Sequence, residues 1–350
     1  MALQFIDGFS HYSEIMEKWD SNNGDGITIA TAVGRFSTGS MSIASAVLGR
    51  WVQKNLPTAV STLVSGFAYR PTGAVRTEVG FINNAGSEHV TFELDQTDGS
   101  IKVYRGSTFG TLLASSSAGV LSADVWQHIE IKSFIDNVGG FVEAKVDGVS
   151  VCSATAVDTQ TDVSPLILTF RVDAASANSG KSADLTDLYI LDDTGAAPYN
   201  TYLGDVKVSV LRPNADGGIN NFTPLSGGDS YLEVDDALLD GDATRVSSGT
   251  ISARDEYALE SFADIGATVT TIYGVQVCNG CKKTDAGTIG YKDNLTVGGT
   301  VYQGDEVFAP AGSYKVTTTL HQVNPDTSTA WTESTAEAAL PGFTLTNKVI

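Results

Sequence analysis

The sequence predicts an all-β chain of two β-sandwich domains, with one short helix near the C-terminus. Three observations carry this. The stretch Trp126–Val151 (WQHIEIKSFIDNVGGFVEAKVDGVSV) holds two runs that alternate with a period of two, separated by Gly139-Gly140. Turn dipeptides recur along the chain while helical periodicity is scarce, the pattern of many short strands joined by tight turns. Composition agrees: charged residues are 18% and glycines number 36, against roughly 25% charge in ordinary soluble domains. A chain of 350 residues also exceeds the roughly 250–300 at which one core stops growing, so two domains are expected.

Within the organising stretch, Ile129, Ile131 and Ile135 share one face, and Glu130, Lys132 and Phe134 the other. Val142, Ala144 and Val146 repeat the pattern, with Glu143 and Lys145 facing away. Side chains leave a pleated strand on alternate sides, so these are half-buried antiparallel strands. Asp147-Gly148 supplies the positive φ angles of a two-residue hairpin, and Val149 and Val151 continue into the next strand.

Taken in order, a strand is expected around Leu3–Phe9, then one helical turn within Tyr12–Trp19. Asp20, Asn22 and Asp25 cluster oxygens of the kind calcium prefers. The spacing departs from an EF-hand loop: Gly24 stands at the third ligand, Asp25 at the required glycine and Thr31 at the closing glutamate. A plain turn is therefore expected there, with no metal. Ile27–Ala32, Arg35–Phe36 and Ser40–Ile43 read as strands, and Ala59–Arg70 as one long buried strand. Val75–Ile82 and Val90–Leu94 continue the meander; Val90, Phe92 and Leu94 point inward, while Thr91, Glu93 and Asp95 form a solvated face. Asp98-Gly99 turns the chain back through Ile101 and Val103. Leu166–Val172 and Asp187–Leu191 are strands, with a small polar loop over Ala174–Lys181.

The first domain is expected to span 1–213 and the second 214–350, with Asn214–Gly218 as linker or long turn. In the second, Thr268–Val277 alternates as a strand. Tyr291–Val297, Gly298-Gly299 and Thr300–Tyr302 read as a hairpin, and Tyr314–Leu320 as another strand. Ala330–Ala339 is the helix candidate, stopped at Pro341-Gly342. Heptads and collagen triplets are missing, so no long fibrous shaft is expected.

Trp126-x-His128-Ile-Glu130, the Gly-bounded strand and Val146-Asp-Gly-Val149 resemble the concanavalin A-like (laminin G-type) jelly roll. Phe5-Ile-Asp-Gly-Phe-Ser-His-Tyr12 with Lys18-Trp19 resembles the opening of such domains in bacteriophage virion proteins. Asp184–Asp193, Tyr199–Val208 with Leu211-Arg-Pro213, and Asn324–Thr327 with Ala330-Trp-Thr332 resemble later segments of the same tailed-phage and prophage proteins. The resemblance implies a jelly-roll first domain. It also implies a non-enzymatic structural component of a virion, made in the host cytoplasm and decorating or projecting from head or tail. Its partners would be other virion proteins and copies of itself, with a trimer as the expected closed form. The alternative is a receptor-binding module of tail-fibre or head-fibre type that recognises host surface glycans.

Charge excludes one class. The net charge is −20, with 21 basic against 41 acidic residues, and the largest basic cluster is Lys282-Lys283. Such a surface repels a phosphate backbone, so no nucleic-acid partner is expected. The N-terminus lacks a basic n-region and an apolar core, and no apolar run approaches the roughly 20 residues that span a bilayer, so neither secretion nor membrane insertion is expected.

No catalytic residue, metal or cofactor is expected either. Hydrolases of this fold carry Glu-x-Asp-x-Glu on one strand; here Glu93-Leu-Asp95-Gln-Thr97 ends in threonine. A retaining hydrolase needs two carboxylates about 5–5.5 Å apart. Cys278-Asn-Gly-Cys281 offers two of the four ligands of structural zinc, and the remaining cysteine is Cys152. It reads as a turn with two thiols or a labile disulfide ending a strand. The histidines, His11, His89, His128 and His321, show no ligand spacing. Of the tryptophans, Trp19, Trp51, Trp126 and Trp331 could stack on sugars if exposed, while Trp126, at a strand start, is expected in the core.

Overall fold

A computed structural model of the chain describes residues 2–44, 49–175, 182–284 and 286–349. The chain divides into two compact units, Met1–Ser10 with Glu14–Val208, and His11–Ser13 with Ser209–Ile350. The architecture is all-β, with two short helices, α1 (Ile15–Lys18) and α2 (Glu333–Glu337).

The strands of the first unit are β1 (Leu3–Asp7), β2 (Ser21–Asn22), β3 (Ile27–Ala30), β4 (Ser40–Ala44) and β5 (Arg50–Val60). They continue as β6 (Thr62–Pro71), β7 (Arg76–Ile82), β8 (Glu88–Asp95), β9 (Ser100–Arg105) and β10 (Thr111–Ser115). The remainder are β11 (Gln127–Phe134), β12 (Gly140–Val146), β13 (Val149–Val157), β14 (Ile167–Ala174) and β15 (Ser182–Leu191). One sheet runs β13-β12-β11-β6-β15-β4-β3, with β1 also paired to β15; the other runs β10-β9-β8-β7-β14-β5-β2. The period-two alternation in 126–151 becomes β11, β12 and β13 in adjacent antiparallel register. Their hairpin turns at Asp147 and Gly148, both with positive φ.

Apolar residues of both sheets meet between them. A chain of rings runs through this core: Phe9 stacks on Trp19, Trp19 meets Phe170, Phe170 meets Phe81 and Phe81 meets Phe92, with centroids 5.5–6.4 Å apart. The opening motif is explained by one buried carboxylate. Asp7 accepts from the Phe9 amide (3.0 Å), Lys18 Nζ (3.1 Å) and Trp19 Nε1 (3.1 Å), and both Asp7 and Lys18 are sealed from solvent. Asp-Gly-Phe and Lys-Trp are thus two halves of one buried polar clasp, in which the charge is matched by a cation and neutral donors.

Several sequence expectations are corrected. Ala59–Arg70 is not one strand: β5 ends at Val60 in one sheet and β6 begins at Thr62 in the other, so the chain changes sheets at Ser61. Arg35–Phe36 lies in a short 3₁₀ turn, with Phe36 at positive φ. Trp126 is half-buried beneath the Arg70 guanidinium, 4.8 Å from the ring centroid, rather than in the core. Glu130 is outward-pointing but buried, because segment 199–208 crosses the outer face of its sheet. The Gly204 amide (2.8 Å) and Tyr189 hydroxyl (2.6 Å) both donate to Glu130, and Tyr202 donates to Glu143 (2.9 Å). Arg35 fastens the far end through Asp187, Asp205 and the Val206 carbonyl. Gly66 lets Tyr189 lie flat here: a Cβ at that position would sit 2.1 Å from the ring. Most of the Ala174–Lys181 loop lies outside the described residues.

The second unit contains β16 (Pro213–Asn220), β17 (Thr223–Pro224), β18 (Val246–Ser247), β19 (Arg254–Leu259) and β20 (Val275–Cys281). It ends with β21 (Thr288–Val297), β22 (Thr300–Gln303), β23 (Val307–Phe308), β24 (Lys315–His321) and β25 (Leu340–Val349). A sheet ordered β16-β19-β25-β21-β22, with β23 on β21, accompanies the pairs β17-β18 and β20-β24. Val277, Leu295, Val297 and Trp331 form its core with Ala336 and Ala339. Asn214–Gly218 is therefore a strand, despite its turn-like residues, because β19 supplies its ladder. The alternating run Thr268–Val277 is ordered as strand only from Val275. The helix is shorter than Ala330–Ala339, capped by the Thr332 side chain, and Pro341-Gly342 lies inside β25 rather than ending a helix.

Candidate functional site

The second face of the seven-stranded sheet, turned away from the core, gathers polar and aromatic side chains in cross-strand rows. Strand register puts Trp51 beside Asp173, Asp173 beside Glu78, Glu78 beside Glu93, and Glu93 beside Lys102. The next row is Gln53, Arg171, Gly80, Thr91 and Tyr104, with Leu112 at the edge. Directly opposed side chains lie about 4.5–5.5 Å apart at Cβ, so each row is a continuous strip. The side chains of Ile82 and Glu88 pack over Gly80 in the middle of the second row. Asn55 follows Gln53 along β5 and accepts from Thr169 at 3.2 Å.

A wall stands over these rows. In the β9–β10 turn, Thr108 donates to Glu78 at 3.0 Å, which draws the turn across β8. Phe109, next to it, is 98% exposed. Trp51 and Tyr104 are half-buried on the same face, and the Arg171 guanidinium lies 6.0 Å from the Trp51 ring centroid.

The electrostatics are those of a crowded acidic strip. Burial pushes Glu78 upward, more than Thr108 holds it down, and neighbouring Asp173 adds to the rise. Burial likewise raises Glu93 against the pull of Lys102, and Asp173 against that of Arg171. Asp95 goes the other way: burial would raise it, but hydrogen bonds from Thr97 and Lys102 hold it low. Glu93 and Asp95 were expected on a solvated face. They do point outward, yet are only 6% and 2% exposed, because Lys102, Arg76 and Thr97 close around them.

Chemically, this is a surface of acceptors, donors and ring faces. Within it, Glu78 and Glu93 are both raised by burial, while Asp95 beside them is held low by Thr97 and Lys102.

The other candidate residues are not brought together. Asp20 accepts from Lys54 Nζ (3.3 Å) and the Asn55 amide (2.8 Å), while Asn22 pairs with Val52 in the sheet. Among the described residues, no three His, Cys, Asp or Glu side chains converge as metal ligands. Cys278 and Cys281 both lie within β20, not joined in a disulfide, three residues apart and hence on opposite faces; the expected turn is a continuing strand. Burial pushes Cys281 up to about 12 and Cys152 up to about 11, the opposite of an activated thiol. Trp19 and Trp331 are core residues, the latter donating to the His321 carbonyl at 2.9 Å. His89 accepts from the Thr161 amide at 3.1 Å, and His128 lies 3.9 Å from Glu130 and 3.6 Å from Asp205.

Of the face residues, the sequence singled out Trp51, Glu93 and Asp95 among its candidates. Arg171, Asp173, Glu78, Lys102, Tyr104 and Phe109 come from three further strands and a turn. Their signal was the polar half of each alternation, but register alone shows that the halves adjoin.

No family model matches the chain, and no curated protein matches it in sequence. Solved structures align with part of the chain. The VIP36 exoplasmic/lumenal domain, in a Ca2+/Man3GlcNAc-bound form, aligns at 9% identity and TM-score 0.38, covering 59% of this chain and 100% of that one. The carbohydrate-binding module CBM66 from Bacillus subtilis aligns at 9% identity and TM-score 0.33, covering 49% and 98%. Alginate lyase Aly36B aligns at 14% identity and TM-score 0.35, covering 49% and 86%.

Proposed function

We propose that the first unit is a non-enzymatic saccharide-recognition module, displayed on a bacteriophage particle and directed at host surface glycans. The observation that carries the binding is the face itself: Trp51, Tyr104 and an almost fully exposed Phe109 border a strip containing Gln53, Asn55, Arg171, Asp173 and Glu93. Sugar rings present apolar C–H faces ringed by hydroxyls. Aromatic planes beside planar amides, a guanidinium and carboxylates complement both parts. A flat apolar patch, the mark of an assembly interface, is not what this face offers. The phage setting rests on the residue resemblance of Phe5–Trp19, of Asp184–Asp193 with Tyr199–Val208, and of Asn324–Thr327 with Ala330-Trp-Thr332.

A second role is favoured by the other unit. Its core is small, while Phe308, Ile251, Leu225 and Leu232 are about half exposed. That suits attachment to virion proteins or to copies of the chain, a trimer being the proposed form.

The test is a glycan array and whole-cell binding assay on purified protein of known oligomeric state. Binding to defined saccharides, lost on Phe109→Ala, is expected. Silence on both the array and host cells would overturn the recognition reading and leave an assembly role alone.

A further inference from the structure

We infer that this face selects saccharides rich in hydrogen-bond donors, amino sugars foremost, and rejects acidic ones. The inference rests on the saccharide reading above and specifies the ligand class.

Among the described residues, the cations on the face, Arg76, Lys102 and Arg171, are already committed. Arg171 pairs with Glu88 and, at 2.8 Å, with Asp173. Lys102 pairs with Asp95 at 3.0 Å and stands 3.6 Å from both Glu93 and Asp98. Arg76 pairs with Asp95 at 3.3 Å. A sugar carboxylate or sulfate arriving here would find no uncommitted cation and would lie against Asp173, Glu78 and Glu93, whose charges are poorly hydrated.

The acceptors are in the opposite condition. Among the described residues, Glu78 receives one hydrogen bond, from Thr108, and Glu93 has only Lys102 beyond normal hydrogen-bond length. Thr91 stands in the next row between Gly80 and Tyr104. It is 1% exposed, and its Oγ1 has no hydrogen-bond partner. A buried polar group without a partner is costly to leave so, and a donor brought to this face would satisfy it. An ammonium placed along the Asp173–Glu78–Glu93 row would in addition relieve the repulsion among three adjacent carboxylates, where like charges directly opposed disfavour one another.

The experiment is calorimetric titration at fixed ionic strength with three oligosaccharides of equal length: glucosamine, N-acetylglucosamine and galacturonate oligomers. The expected order is glucosamine tightest, N-acetylglucosamine next, and galacturonate at least tenfold weaker than glucosamine. A Glu78→Gln/Glu93→Gln double variant, its fold checked by circular dichroism and thermal melting, should bring that gap below threefold. Galacturonate binding as tightly as glucosamine would overturn the inference while leaving saccharide recognition standing. A gap unchanged in the double variant would overturn it too, tracing the preference to the net charge of −20. Binding of none of the three would overturn the inference, and a silent glycan array would then remove the recognition reading as well.

Discussion

Replacing Lys18 with methionine should destabilise the first unit more than almost any other single change of similar size. The side chain keeps its volume but loses the cation that faces Asp7. The Phe9 amide at 3.0 Å and Trp19 Nε1 at 3.1 Å still donate to Asp7, but both are neutral and the site is without solvent. Lys54, the nearest alternative, is held by the Lys18 carbonyl (2.9 Å) and Asp20. Removing one partner of a buried ion pair costs about 3–5 kcal/mol. At about 2–4 °C per kcal/mol for a unit of this length, the melting temperature should fall by about 10 °C. Asp7→Asn/Lys18→Met restores neutrality while leaving an acceptor for Phe9 and Trp19, so it should recover at least about 2 kcal/mol relative to additivity. Urea unfolding of the four proteins by circular dichroism measures the cycle. A loss below about 1 kcal/mol for Lys18→Met, or strict additivity, would refute the view that a charge-matched clasp holds the opening strand to the core.

Two further outcomes follow from the buried acids. Glu78, Glu93 and Asp173 are raised by burial, so the folded state binds their protons more readily than the unfolded chain. They oppose folding at neutral pH and do so less as pH falls through their raised values. Glu78→Gln should therefore raise the melting temperature at pH 7 and leave it nearly unchanged at pH 4.5, which scanning calorimetry at both pH values checks. Glu130 behaves oppositely: burial would raise it, but His128, Tyr189 and the Gly204 amide hold it low. Its contribution is present above the ordinary carboxylate range and disappears as pH falls through the depressed value. Glu130→Ala strands the Tyr189 and Gly204 donors at a cost of about 1–3 kcal/mol, and should speed amide exchange across residues 199–208 ahead of β6 and β11.

The all-β class and the hairpin of β12 and β13 were legible because alternation and Asp-Gly turns are local. What crosses between strands was not. Ala59–Arg70 is uniformly apolar or small, so nothing in it marks Ser61 as the point where the chain changes sheets. Glu130 alternates with buried isoleucines as a solvent-facing residue should; only the return of 199–208, from sixty-nine residues away or more, covers it. The same limit hid the site. Trp51, Asp173, Glu78, Glu93 and Lys102 are far apart in the chain, and only antiparallel register sets them in one row. Asn214–Gly218 has the composition of a turn, yet it is a strand because pairing with β19 outweighs a weak local preference.

The most direct measurement is the affinity of the best array saccharide for the wild-type protein, Trp51→Ala and Trp126→Ala. Trp51 lies on the proposed face, while Trp126 stacks under Arg70 on the other sheet. Loss of a tryptophan anchor at a binding hot spot costs about 2 kcal/mol, or roughly thirtyfold in Kd. Trp51→Ala should weaken binding by that factor, and Trp126→Ala should leave it within twofold. Equal affinity for all three proteins, or a loss confined to Trp126→Ala, would contradict recognition through the face of the seven-stranded sheet.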